Sequence, residues 1–219
     1  MEKIGVLGTG MVGQTIATKL VELGYEVRMG SRLLNNEKAF EWAKPLGDKA
    51  SFGTFESAAS FGNIIFNCTK GDVTLSMLKS LSAASIANKI LIDITNPLDF
   101  SKGMPPSLIS EYANTNSLGE EIQKALPDTK VVKTLNIVSA DVMVDPDKTG
   151  GEPTMFVCGN DKDAKNETIK ILNQFGWKDI LDIGDIKSAR GIEMLLPVWI
   201  ETMMSLDNRY FAFKIIRSR

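Results

Sequence analysis

The sequence predicts an α/β fold: a parallel sheet covered by helices, with a small C-terminal α/β domain. Three observations predict it. Short runs rich in Val, Ile and Phe alternate with segments of helical period. Two of those runs, NIIFNCT at 63–69 and KILIDIT at 89–95, are apolar almost throughout, as strands covered on both faces are. A polar break, DPDKTGGEP at 145–153, separates a long first set of elements from a shorter second set. Strands alternating with helices in this way imply right-handed βαβ units.

Each element follows from local pattern. KIGVLG (3–8) is a β-rich run that ends in glycine. MVGQTIATKLVEL (11–23) places Val12, Ile16, Leu20 and Leu23 on one helical face, and Gly24 stands where a helix closes on a left-handed residue. YEVRMG (25–30) alternates as a strand. Residues 36–46 predict a helix carrying Phe40 and Trp42. ASFGTF (50–55) reads as a short strand and turn, and ESAASF (56–61) as a helical turn. After the strand at 63–69, residues 72–82 have helical period. The strand at 89–95 leads into a long connection, 96–117, rich in Pro, Ser, Asn and Gly. Loops of that length in compact domains are usually functional or mobile. Residues 118–126 predict a helix, and KVVKTLN (130–136) a sixth strand. Beyond the break come a strand at 154–158, a helix at 161–175, a strand at 178–183 and a long helix from about 186. Asp185 is its expected N-cap. Ala189, Ile192, Leu196, Trp199 and Met203 recur along it at helical spacing, and Pro197 predicts a kink or break.

The break sets the expected boundary, with residues 1–150 as one domain and 151–219 as a smaller one closing a cleft. With 219 residues, 43% apolar and 24% charged, the chain has ordinary globular composition. A net charge of −2 and a pI near 5.4 argue against a nucleic-acid surface, which needs a basic excess. GIEMLLPVWIETMMSL (191–206) is too short for a membrane span and carries Glu193 and Glu201. The glycine-broken N-terminal stretch reads as strand and turn, not as a secretory leader. Cys68 and Cys158 lie in apolar strand-like runs and fit buried thiols in a reducing, cytoplasmic setting.

The chain has no histidine. That removes a Ser-His-Asp or Cys-His relay, a His-ligated zinc and a histidine proton shuttle. Two distant cysteines cannot hold a thiolate metal site unaided. No metal is expected, and no residue stands out as a catalytic acid or base.

GTGMVG supplies Gly8, Gly10 and Gly13 in G-x-G-x-x-G spacing, after the first strand and at the opening of a helix. Each glycine has a task. Gly8 permits a tight turn, Gly10 lets a pyrophosphate approach the backbone, and Gly13 lets the helix lie close to the sheet. Thr9, Met11 and Val12 complete the turn, and the helix start offers free N–H donors and a positive dipole end. The fold expected is therefore of Rossmann type. About 20 residues past the first glycine, NAD-binding proteins place an acidic residue that binds both ribose hydroxyls. Here the chain has Ser31 and Arg32. A guanidinium pairs with phosphate through two charge-assisted hydrogen bonds, and a serine hydroxyl can donate another. The cofactor expected is NADP(H) rather than NAD(H).

Ligands of an open parallel sheet sit beyond the carboxyl ends of its strands. Three such ends are small and polar: Cys68-Thr69-Lys70-Gly71, Thr95-Asn96-Pro97-Leu98, and Asn136-Ile137-Val138-Ser139-Ala140. Each can place a backbone amide, hydroxyl or carboxamide near the nicotinamide. Cys68, Thr69, Lys70, Asn96, Pro97 and Asn136 are the candidates for the cofactor. Lys70 and Lys133 are the ionisable groups to watch. Tyr112, in the long connection, is a candidate proton donor.

The residues GTGMVGQTIATKLVELGYEVRMGSR, NPLDF, LGEEIQKALPDTKVVKTLNIVSADVMVDP and DIGDIKSARGIEMLLPVWIETM span nearly the whole chain. In order and spacing they resemble the NADPH-dependent F420 reductase-like family, the F420-dependent NADP oxidoreductases and their bacterial relatives. The resemblance implies a cleft in which a deazaflavin stacks on the nicotinamide. It implies that Thr9, Ser31 and Arg32 hold the cofactor. It implies that Pro97, Leu98 and Asn136 to Ala140, with Ile137 and Ser139 among them, border the hydride-transfer site. Leu195 and Leu196 would cover its apolar side.

The function expected is hydride transfer between NADP(H) and a small-molecule acceptor, coenzyme F420 or a flavin. Such transfer needs little acid–base chemistry from the protein, which a histidine-free chain suits. Two rivals share the first domain: an imine or pyrroline-carboxylate-type reductase, and a non-catalytic NADP(H)-binding sensor. The apolar late helix, with Trp199, Met203, Met204 and Phe211 to Phe213, serves either core packing or a homodimer interface. No nucleic acid and no membrane is expected as a partner.

Overall fold

The computed structural model describes residues 2–218. In chain order its elements are β1 (Lys3–Leu7), α1 (Met11–Glu22), β2 (Glu26–Ser31), α2 (Glu37–Ala43), β3 (Ala50–Thr54), α3 (Phe55–Phe61), β4 (Ile64–Asn67), α4 (Gly71–Lys79), α5 (Ala83–Ile86) and β5 (Ile90–Asp93). There follow β6 (Leu98–Asp99), β7 (Ser107–Leu108), α6 (Leu118–Ala125), β8 (Lys130–Thr134), α7 (Ala140–Val144), β9 (Thr154–Gly159), α8 (Lys162–Phe175), β10 (Asp179–Asp182), α9 (Ala189–Met194) and α10 (Leu196–Leu206).

One eight-stranded sheet runs in the order β10-β9-β8-β5-β4-β1-β2-β3. Its neighbours are parallel except β8 and β9, which pair antiparallel with Thr134 opposite Val157. The expected parallel sheet thus gains one reversal. Alternating apolar runs do not encode strand direction, so the sequence could not show it. Beyond the polar break, β9 and β10 continue this sheet and do not build another. The reversal has a consequence for the cleft. β8 ends at the carboxyl edge of the sheet, so β9 starts there, and the chain that packs on the start of β9 lies beside that edge.

Strand side chains alternate between two apolar layers. Ile4, Val6, Phe66, Ile92, Val132 and Val157 share one layer with Ile16 and Leu20 of α1 and Leu172 of α8. Leu7, Ile65, Leu91, Val131 and Cys158 share the other with Ala58 of α3, Ile122 of α6 and Ile192 of α9. A third cluster, Leu196, Trp199 and Ile200, packs with Leu98, Met203, Phe211 and Phe213.

Several expectations need correcting. Leu23 is exposed, because α1 ends at Glu22 and the chain turns away at Gly24 (φ 99°); Ala17 and Val21 take its place in the core. The helix expected at 36–46 stops at Ala43 and passes into a 3-10 segment, Lys44–Lys49. Pro45 has no N–H to continue the α-helical ladder. The short helices α5 and α7 fall in stretches to which the sequence pattern assigns no element. The connection 96–117 holds the two-residue strands β6 and β7, paired antiparallel, and a 3-10 turn at Ser110–Tyr112. The long late helix is two helices. They meet at Leu195, and Pro197 lies in the first turn of α10, where its missing N–H costs nothing. Asp185 does cap the segment before α9, accepting from Lys187 N.

The tail after α10 has no regular element but is tied down. Thr154 N donates to the Phe213 carbonyl at 2.9 Å, and Ile215 N to Thr154 Oγ1 at 3.0 Å. Lys214 and Arg217 pair with Asp179 at 2.9 and 2.7 Å. Among the described residues no helix is long and apolar enough to cross a membrane.

Candidate active-site cleft

The glycine turn is built as its spacing demands. Gly8 has φ 122°, the left-handed region that favours glycine, and a Cβ there would strike the Cys68 carbonyl. A Cβ on Gly13 would collide with the Gly8 carbonyl, so α1 can lie this close only with glycine at that position. Gly10 differs: a Cβ there meets nothing within 4 Å. The space beside it is open. Gly10 is the N-cap of α1 and carries no side-chain cap, and the first turn holds no acidic residue. The helix start therefore offers unpaired N–H donors and a positive dipole end to an anion. Gln14 Nε2 braces the turn by donating to the Thr9 carbonyl at 3.0 Å.

A cavity of about 900 Å³ opens from this turn. Gly8, Thr9, Gly10, Ser31, Arg32, Cys68, Thr69 and Lys70 all line it. Arg32 is exposed and also borders a smaller hollow with Asn36 and Phe55. Ser31 is nearly buried, and its hydroxyl is already engaged. It donates to the Leu33 carbonyl at 2.5 Å and accepts from Leu33 N at 3.2 Å. Ser31 thus shapes the turn that carries Arg32. Arg28, on the other strand face, stacks on Phe61 at 4.3 Å and donates to Ser51, away from the cleft.

A second cavity, of about 510 Å³, adjoins the first. Cys68, Thr69, Lys70 and Asp72 line both, so the two form one trough along the carboxyl ends of the strands. Met11, Val12, Asn96, Leu98, Asn136, Ser139, Ala140 and Leu196 also border the second cavity. Asn96 and Asn136 lock its floor. Asn136 Nδ2 donates to Asn96 Oδ1 at 2.9 Å and to the Ile192 carbonyl at 3.0 Å, and Asn96 Nδ2 returns a bond to the Asn136 carbonyl at 2.8 Å.

Five candidates lie off the walls. Gly13 stands behind the turn. Pro97 is buried against Gly71, where it backs the start of α4. Ile137 is buried, and Leu195 sits at the joint of α9 and α10, next to Leu196, which does border the second cavity. Tyr112 borders neither cavity; it packs against the layer containing Leu118 and Ile122. Other wall residues escaped the sequence reading as site residues: Phe100, Met143, Trp199, Met203 and Arg209 at the second cavity, and Phe55, Glu56 and Val73 at the first. The apolar ones carry no chemical signature that separates wall from core.

Lys133 is not a cleft group. It is fully buried on β8, with Nζ 2.8 Å from Asp93 Oδ2 and 2.9 Å from Glu193 Oε1, and it donates to the Thr95 carbonyl at 2.5 Å. Burial alone would push its pKa down; the two carboxylates reverse that and hold it above the ordinary value, charged. Burial pushes the Glu193 carboxyl up, against the pull of Lys133 and of the Leu118 N–H. Asp93 Oδ1 accepts from Asn67 Nδ2 at 2.8 Å and from Thr95 Oγ1 at 2.9 Å. Asn67 in turn accepts from Thr69 Oγ1 at 2.8 Å, so the network ends at the cleft floor. Burial pushes the Cys68 thiol up and keeps it protonated, and Cys158 is pushed up to about 12 for the same reason. Among the described residues no group of three or more His, Cys, Asp or Glu gathers as a metal site.

Residues 3–97, which hold the glycine turn and the strand ends around it, match the family described as NADP oxidoreductase, coenzyme F420-dependent. The F420-dependent NADP reductase of Methanocaldococcus jannaschii is 30% identical over 206 residues, covering 90% of this chain and 91% of that protein. A crystal structure from Arthrobacter sp. FB24, ascribed to an F420-dependent NADP reductase, superposes with a TM-score of 0.92 at 45% identity, over 99% of this chain and 100% of that one. Rat metalloreductase STEAP3 is 30% identical over 222 residues, 98% of this chain, but the chain spans only 42% of that protein's length. The glycine turn, the cleft it opens and these likenesses agree: the chain belongs to the F420-dependent NADP oxidoreductase family.

Proposed function

We propose that this chain transfers hydride between NADP(H), held in the larger cavity, and a planar flavin-like or deazaflavin acceptor in the second. The observation that carries the reading is the continuity of the two cavities at Cys68, Thr69 and Lys70. A dinucleotide laid along the trough would have its phosphates at the start of α1, its adenosine ribose at Arg32 and its nicotinamide at the junction. When bound, the nicotinamide supplies a hydride from C4, and the acceptor ring takes that hydride and one solvent proton, so NADPH is oxidised as the ring is reduced. The chain's own work is binding and exclusion of water. Gly10 and the uncapped N–H groups of α1 hold the pyrophosphate, and Arg32 pairs with the 2′-phosphate. Asn96 and Asn136, fixed by each other, set the floor on which the rings meet. Met11, Leu98, Leu196 and Trp199 give the acceptor side its apolar walls. The segment after the polar break closes this side of the cleft through Leu196, Trp199, Ile200, Met203 and Arg209. The exposed side chains of Val198, Met204 and Leu206 suit burial in a homodimer, which light scattering tests.

Anaerobic NADPH oxidation followed at 340 nm, with coenzyme F420, FMN and a ferric chelate offered separately, tests the acceptor. Reduction of a flavin or deazaflavin at a rate matching NADPH loss is expected. A ferric ion takes one electron at a time, so ferric reduction should need added flavin. NADPH binding with no turnover on any planar acceptor would overturn the reading in favour of a sensor.

A further inference from the structure

The chain has three tryptophans. Two spend their indole N–H inside the fold: Trp42 Nε1 donates to Thr18 Oγ1 at 3.0 Å, and Trp177 Nε1 to the Met143 carbonyl at 2.9 Å. Trp199 does not. Its side chain is buried, 8% exposed, and no acceptor among the described residues reaches its Nε1. Among the described residues, Ser139 Oγ is the other buried side-chain polar atom in that condition. The two residues come from different elements, yet both line the second cavity.

Buried donors without a partner are rare in native folds, because the lost bond to water is not replaced. The other buried polar groups of this cavity are already spent. Asn96 and Asn136 bond each other. The Thr95 hydroxyl donates to Asp93, and the Thr69 hydroxyl donates to Asn67 and accepts from the Thr74 hydroxyl. Hydrogen bonding from the buried wall to a ligand therefore falls to Trp199 and Ser139. An indole N–H can only donate, and a serine hydroxyl can donate. The indole is also held in one orientation, stacked on Phe211 with centroids 5.3 Å apart and planes 14° from parallel.

We propose that Trp199 Nε1 and Ser139 Oγ recognise ring carbonyl oxygens of the second substrate, so that the pocket selects a planar heteroaromatic whose carbonyl-bearing half enters between α7 and α10. The inference rests on the planar-acceptor reading above and adds the atoms that the protein reads.

Binding to the NADP⁺-loaded protein tests it, with two probes. FMN carries two ring carbonyls; methylene blue is a planar tricycle with none. FMN affinity is read by fluorescence quenching and methylene blue by absorbance. Trp199→Phe keeps an aromatic face for Phe211 and removes the donor; Ser139→Ala is the smaller second variant. Each should raise the FMN Kd about fivefold to tenfold, and by more than it raises the methylene blue Kd, with NADP⁺ affinity within about twofold of wild type. Equal weakening toward both dyes, or unchanged FMN affinity in both variants, would overturn the proposal while wild-type FMN binding left the acceptor reading standing. Wild-type protein that bound neither FMN nor F420 would remove both together.

Discussion

Lys133 Nζ lies 2.9 Å from Glu193 Oε1, and neither side chain has any solvent exposure. Glu193 stands on α9 and Lys133 on β8, and the carboxylate also accepts from Leu118 N at 2.8 Å and Gly119 N at 3.0 Å. One carboxylate therefore joins a central strand, the start of α6 and the helix that leads into the wall of the second cavity. The next residue along the sheet network, Asp93, shares the same ammonium.

Removing one member leaves the others charged and dry. Lys133→Met is expected to cost about 3–5 kcal/mol of stability, since two carboxylates lose their counter-ion in a buried site. Lys133→Met combined with Glu193→Gln should cost less than the sum of the single changes, because the groups act as one unit. Urea unfolding of the three variants checks this. Additive losses would mean that the groups contribute separately.

Gly10 and Gly13 make opposite predictions although they belong to one motif. A Cβ at Gly13 meets the Gly8 carbonyl, so Gly13→Ala should destabilise the fold by about 1–3 kcal/mol. A Cβ at Gly10 meets nothing, so Gly10→Ala should leave stability within about 1 kcal/mol, the scale of an N-cap change. Its methyl would instead occupy the path of the pyrophosphate and weaken NADPH binding at least tenfold. Thermal melts and a fluorescence titration with NADPH separate the two effects. A Gly10→Ala variant that bound NADPH normally would show that the open space there is not the phosphate path.

The glycines were legible because each answers to a single local demand: a positive φ, a close approach, an open face. Arg32 was legible because its distance from the motif places it just past the end of β2. Lys133 and Glu193 were not, since their meeting depends on how α9 packs back on the sheet, which no local pattern states. In the sequence Trp199 is one position of an apolar stripe. Its stripe is broken at Leu195, and only the folded chain shows that this indole, unlike Trp42 and Trp177, finds no acceptor. The reversal at β9 was equally invisible, and with it the placement of the tail beside the cleft.

Arg32 and Ser31 should separate in a dinucleotide comparison. Arg32 is exposed on the wall of the larger cavity, and in the proposed binding mode its removal would cost a charge-assisted bond to the 2′-phosphate. Arg32→Ala is expected to weaken NADPH by about 1.5–3 kcal/mol and NADH little. Ser31 spends its hydroxyl on Leu33, so Ser31→Ala should act by loosening the turn and weaken both dinucleotides alike. Calorimetric titration of each variant with NADPH and NADH measures the difference. Equal losses for both cofactors in Arg32→Ala would remove the 2′-phosphate from the role given to the guanidinium.

Asp179 ties the C-terminal tail to the edge of the sheet, and acid should release it. The Thr154 hydroxyl, then Lys214 and Arg217, hold its carboxyl at about 2, below the ordinary carboxylate range. A depressed folded pKa gives stability that is fully present above the unfolded value, about 3.9, and that is lost as pH falls toward the folded one. Asp179→Asn should therefore cost about 1 kcal/mol near neutral pH, a modest figure because Lys214 and Arg217 are half exposed. The difference from wild type should shrink between pH 4 and pH 2 and vanish below that. The tail carries Phe211, which stacks on Trp199, so its release should also change tryptophan emission over the same range. Unfolding free energies of both proteins at a series of pH values test the sign. A gap between them that stayed constant down to pH 2 would show that the carboxylate's charge does not hold the tail.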